Sequence, residues 1–167
     1  MWYVRWLQCS MIVFKPDNKL KKRFNQIDWQ VLSCVYSLMF DSIYNVKKKR
    51  DYIIRLKLTA NIDSYYAFQA GRNVRINISE LVFNQKIFYV TLLHEFRHFI
   101  QDKVFKIPIT KANYDETSIK TYMQSPIEID ARAYERLTLL KVVKTYNRLV
   151  TLKKSFKRLG KYRGTKI

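Results

Sequence analysis

Hydrophobic positions recur along the chain with two different periods. From Ile27 to Ile43 the apolar residues Trp29, Leu32, Val35, Tyr36, Met39 and Phe40 keep the three-to-four-residue spacing of one helix face. Asn84 to Phe105 repeats that spacing at Ile87, Val90, Leu93, Phe96, Ile100 and Val104, holds no Gly or Pro, and stops just before Pro108. This is the pattern of a long helix with one core face. Between the two, the period shortens. Tyr52 to Leu58 and Val74 to Ile78 alternate, Tyr65 to Phe68 is rich in β-formers, and Asn61-Ile62-Asp63 and Gly71-Arg72-Asn73 divide the runs. They predict a small three-stranded antiparallel sheet. Residues 18–26 read as a short basic helix or loop, and 107–124 as a polar loop. A second long helix begins at Ser125-Pro126, with Ser as cap and Pro at the first helical position, and runs toward residue 150 or beyond. The expected class is α+β.

Composition narrows the chemistry. A chain of 167 residues with 48% hydrophobic residues fits one domain with a substantial core. Glycine occurs only at positions 71, 160 and 164, so neither a G-x-G-x-x-G turn nor a phosphate-binding P-loop can be written. Two cysteines, Cys9 and Cys34, cannot build a four-thiolate zinc site. The apolar start is interrupted by Arg5 and lacks a cleavage site, and no stretch approaches a membrane span. The expectation is a soluble, unsecreted protein, cytoplasmic or within a virion or organelle nucleoprotein particle.

The net charge of +19 is unevenly spread: residues 1–50 carry +7, 51–135 carry +1 and 136–167 carry +11. The chain therefore divides into a basic N-terminal region expected to be helical (1–50), a core (51–140) and a basic C-terminal helix or tail (141–167). Lys47, Lys48, Lys49 and Arg50 form one cluster and Lys19 to Arg23 another. After Glu135 there is no acid, while Lys153, Lys154, Lys157, Arg158, Lys161 and Arg163 crowd the end. Such segments attract polyanions, whether RNA, DNA or an acidic protein surface.

Both histidines of the chain fall in one pentapeptide, His94-Glu95-Phe96-Arg97-His98. Chance gives this H-E-x-x-H arrangement in about 1 of 3,000 shuffles of such a composition. Four residues is about one helical turn, so both imidazoles project from one face and can take two corners of a zinc site. Glu95 stands beside them, where it can accept a proton from water acidified by the cation. No third histidine exists, so a carboxylate must complete the site; Asp115, Glu116, Glu128, Asp130 and Glu135 are available. Glu128 is best placed, in the first turn of a new helix and followed by the small Ala131. It is also the fourth residue of an S-x-x-E capping box, where its carboxylate would instead bond the backbone of Ser125.

His94-Glu95-x-x-His98, followed by Glu128-Ile-Asp-Ala131-Arg-Ala-Tyr134, resembles the pattern of minimal gluzincin-type zinc peptidases, including the ImmA/IrrE-like and phage-encoded metallopeptidase domains, over roughly residues 50–140. The resemblance implies a zincin-like fold, zinc held by His94, His98 and Glu128, Glu95 as general base, and the strand Val74 to Ile78 as the edge along which an extended peptide pairs. Tyr122, Tyr134 and Arg132 are candidate oxyanion stabilisers, and Gln101 and Asp102 candidates for orienting His98. The function so implied is peptide-bond hydrolysis, with the basic flanks tethering the enzyme to a polyanion. The alternative is a zincin-fold scaffold, without turnover, in a nucleoprotein or virion assembly that binds nucleic acid through its basic termini.

Overall fold

The computed structural model describes residues 12–44, 51–67, 71–107 and 121–163. In chain order they form β1 (Ile12–Pro16), α1 (Asn18–Arg23), α2 (Trp29–Tyr44), β2 (Tyr52–Thr59), β3 (Tyr65–Ala67), β4 (Asn73–Ser79), α3 (Gln85–Lys103) and α4 (Pro126–Arg163). The class is α+β, as expected, with a small sheet and a long C-terminal helix. The sheet itself differs from the expectation. It has four strands in the order β1-β2-β4-β3, and β1 with β2 and β2 with β4 run parallel; only β3 is antiparallel, to β4.

Strand β1 lies within the region expected to be helical. Its residues Ile12 and Phe14 are buried, and α1 and α2 serve as the crossover that returns the chain parallel to β1. Two serines of α2 cover its outer edge: Ser37 Oγ accepts the Ile12 N–H (2.9 Å) and Ser33 Oγ the Phe14 N–H (3.0 Å). Those backbone donors would otherwise be buried without partners. The strand Val74 to Ile78 is likewise not an edge. As β4 it lies between β2 and β3, with Val74, Ile76 and Ile78 fully buried, which leaves the short β3 on that side as the outer strand among the described residues. Alternating patterns report burial of a face, and burial is the same for parallel and antiparallel neighbours.

One hydrophobic core joins residues from Ile12 to Tyr146, so 12–44 pack into the same unit as 51–107, and α4 crosses residue 140 without interruption. Its centre is aromatic. Tyr36 of α2 meets Phe14 at 4.9 Å and Phe96 at 4.8 Å, both edge to face. Phe96 is fully buried beside Glu95, so the packing that fixes α3 also fixes the residues on its polar face. Helix α3 starts at an Asn84 cap that accepts the Ile87 N–H (2.9 Å), and ends where Lys106 turns to φ 58°. Helix α4 starts at Ser125, whose Oγ accepts the Glu128 N–H at 3.4 Å. Among the described residues no helix is long and apolar enough to cross a membrane.

Candidate metal centre

Two helix faces build the site. His94, His98 and Gln101 lie at i, i+4 and i+7 on α3, opposite the apolar residues that enter the core. Glu128, Ala131 and Glu135 lie at i, i+3 and i+7 on α4. Ala131 is fully buried and lets the two helices approach. The Ser125 N–H bonds the Tyr122 carbonyl (2.9 Å), so the second half of the capping box is not formed and the Glu128 carboxylate is left for the histidines.

The donor atoms converge. His98 Nε2 lies 3.0 Å from one Glu128 oxygen, His94 Nε2 lies 3.1 Å from the other, and the two Nε2 atoms are 3.1 Å apart. Glu128 and His98 are almost completely buried. His94, His98 and Glu128 form a group that could hold a metal ion, with one ligand atom from each within 4.8 Å of the others.

The outer bonds settle which imidazole nitrogens face inward. Gln101 Nε2 donates to the Ile127 carbonyl (3.0 Å) and to Asp130 (2.7 Å), so its Oε1 must face His98. At 2.8 Å that oxygen accepts from His98 Nδ1. Likewise His94 Nδ1 donates to Glu135 at 3.1 Å. With Nδ1 carrying the proton on both rings, the neutral tautomers point their Nε2 lone pairs at each other and at a carboxylate. That arrangement repels itself unless a cation or protons occupy the centre. Two ligands of a tetrahedral zinc ion stand about 3.3 Å apart, close to the separations here, so the donor set fits such an ion.

The charges follow the same logic. Burial pushes the His94 pKa down, but its bonds to Glu128 and Glu135 outweigh this and raise it to about 10. Burial pushes Glu128 up, but its bonds to His94, His98 and the Tyr122 hydroxyl hold it far below the usual carboxylate range. Glu95, almost fully buried, is raised to about 7 by desolvation against the pull of the two histidines and of the Tyr66 backbone N–H, which donates to it. Glu95, His94 and Glu135 line a cleft of about 320 Å³ whose other walls include Ile62, Leu81 and Val90.

The other sequence candidates fall in different places. Tyr122 bonds Glu128 directly. The Tyr134 ring lies under the Arg97 guanidinium (5.0 Å), and Arg132 bonds the Glu128 carbonyl (3.2 Å) and the Met123 carbonyl, tying the start of α4 to the preceding turn. Asp130 pairs with Arg97 through two bonds of 2.7 and 3.1 Å, and Asp102 accepts from the Tyr66 hydroxyl (2.6 Å). Gln101, then, is the residue of the pair that touches His98. Asp115 and Glu116 lie outside the described residues, as do Cys9 and Lys47 to Arg50.

The supporting roles of Arg97, Asp130 and the Tyr66 backbone had no signal in the sequence, where Asp130 was a candidate ligand and instead bonds Arg97 and Gln101. The Arg97–Asp130 pair links residues 33 apart, and Tyr66 acts through its main chain, which carries no residue signature. Compared with known proteins, the chain matches no family model, no curated protein and no solved structure, so its chemistry is read from this cluster.

Proposed function

We propose that the chain is a zincin-like, zinc-dependent peptidase. One observation carries the reading: the two Nε2 atoms and the Glu128 carboxylate converge on one point, beside a cleft that Glu95 also lines. His94, His98 and Glu128 would hold the ion, and a zinc ion there supplies Lewis acidity that polarises a carbonyl and makes water a nucleophile near neutral pH.

The chain's own residues do the rest. Gln101 and Glu135 hold the two imidazoles in the tautomer that presents Nε2, and the Arg97–Asp130 pair holds Gln101. Glu95 accepts a proton from the attacking water as its oxygen bonds the scissile carbonyl carbon, and returns that proton to the amine as the C–N bond breaks. The Tyr66 N–H keeps the Glu95 carboxylate turned toward the sheet edge next to the cleft. Strand β3, the outer strand beside Glu95, takes over the role that the resemblance assigned to β4: an extended peptide would lie along it.

The test is Glu95→Gln. Zinc content should be unchanged while cleavage of a peptide library falls by about 10²–10⁴-fold, the usual contribution of a general base. Equal cleavage by both proteins sinks the proposal, and zinc retained with no cleavage by either leaves a metal-held scaffold instead.

A further inference from the structure

Two segments far apart in the sequence, residues 28–30 and the C-terminal half of α4, are bonded to each other in the fold. Lys153 of α4 binds Asp28 at 2.6 Å and Gln30 at 3.1 Å, and the Asp28 N–H donates to the Tyr146 hydroxyl at 2.7 Å. These bonds pin the segment after α1 against the C-terminal half of α4, across some 120 residues of sequence. Lys21, Lys22 and Arg23, all exposed, end α1 just five residues before Asp28, within about 17 Å even for an extended chain, and the Phe24–Ile27 turn shortens that. Arg148, Lys154, Lys157 and Arg158 are exposed within about two turns of Lys153 on α4.

Asp28 is already committed. Its Oδ1 accepts the Val31 N–H and its Oδ2 takes Lys153, so it ties the two elements together without neutralising the exposed cations. No ion pair forms at any of those seven among the described residues. From Lys141 to Arg158 the helix carries cations and no acid over about 26 Å.

We propose that the end of α1 and the C-terminal half of α4 form one face that binds the phosphodiester backbone of a nucleic acid. A single phosphate would need one or two of these cations; an array of this length and single sign suits a polymer with evenly spaced anions. A folded acidic protein presents mixed charge, which an all-basic array would meet with repulsion as well as attraction. A helix lying on a membrane needs a broad apolar face, yet Val142 and Tyr146 are spent in the core and, among the described residues, only Leu152 and Phe156 are half-exposed beyond them. The face is independent of the metal centre, and stands or falls separately from the peptidase reading.

The experiment is fluorescence anisotropy of the full chain with a 20-base-pair DNA duplex, the matching RNA duplex and a single-stranded RNA, over about 50 to 200 mM salt. Two variants, Lys21→Gln/Lys22→Gln/Arg23→Gln and Lys154→Gln/Lys157→Gln/Arg158→Gln, should each lower the slope of log K against log salt on duplex DNA by about 2 to 3, with circular dichroism and Tm unchanged. A preference between the probes would identify the nucleic acid. A slope moved by the α4 variant alone overturns the single face. Binding to polyglutamate or to anionic vesicles as tight as to every nucleic acid overturns the proposed partner.

Discussion

Along α4, Glu128, Ala131 and Glu135 face α3 in the first turns, and Val142, Tyr146 and Lys153 continue the stripe toward the other end. In the first half each charge on or near this stripe has a fixed partner: Glu128 meets both histidines, Glu135 meets His94 and Asp130 meets Arg97. In the second half, among the described residues, the exposed cations form no ion pair, and Lys153, which does, is largely buried. The difference is one of solvent. A buried charge without a counter-charge costs far more than any packing gain returns, so the buried end is compensated almost atom by atom. Exposed cations are hydrated, and their mutual repulsion, screened by salt, costs little enough to leave open for a partner.

The largest effect should come from breaking compensation at the buried end. Glu128→Ala removes the anion between the two imidazoles and should take bound zinc to background in metal analysis of the purified protein. The wild type at about 100 times its zinc Kd gains about 2.7 kcal/mol, or about 5 to 11 °C in Tm for a chain of this size. Chelation should remove that gain from the wild type and change nothing in Glu128→Ala. Stoichiometric zinc in the variant would move the third ligand elsewhere.

How far this contrast could be read from the sequence differs between the two ends. The pair of histidines on α3 was legible because the motif is local: four residues fix two side chains on one face whatever the tertiary fold. The start of α4 was legible from Ser125 and Pro126 for the same reason. Glu128 was favoured over Glu135 for its place in the first turn of α4, but both share the face that meets α3, and the choice rests on whether Ser125 N–H goes to the Tyr122 carbonyl or to the Glu128 carboxylate. Strand β1 was missed because Ile12–Pro16 is a short, partly apolar run ending in proline, and what makes it a strand is the parallel partner Tyr52–Leu56, 40 residues on. The direction of β2 and β4 was misread because hairpin-like spacing is the simplest reading of neighbouring strands, whereas β3 is inserted at the edge and lets β2 and β4 pair in parallel. The basic clusters were visible as composition, but the bond that brings the segment after α1 to α4 depends on Asp28, one acid whose partner is 125 residues away.

A smaller change sharpens the account of the buried end. Gln101→Ala leaves all three ligands in place but removes the acceptor that fixes the His98 tautomer, and should weaken zinc binding by about 10 to 100-fold in a competition titration. Glu135→Gln keeps an acceptor for His94 Nδ1 and loses only charge, so its effect should be under about tenfold in the same titration. If the two variants weaken zinc equally, tautomer control is not what Gln101 does.

The smallest expected effect tests the link between the two ends of the comparison. Asp28→Asn keeps an oxygen to accept the Val31 N–H but gives up the ion pair with Lys153. That pair is partly exposed, so its loss should cost less than about 1 kcal/mol in denaturant unfolding. The freed Lys153 joins the cationic array, and the salt slope of duplex DNA binding should steepen by about 0.9, the share of one added phosphate contact. Zinc affinity should not move, because Asp28 contacts neither the histidines nor their supports. A shallower slope would mean that the face is lost without the bond between Asp28 and α4, and the tie would then matter more for binding than the charge it consumes.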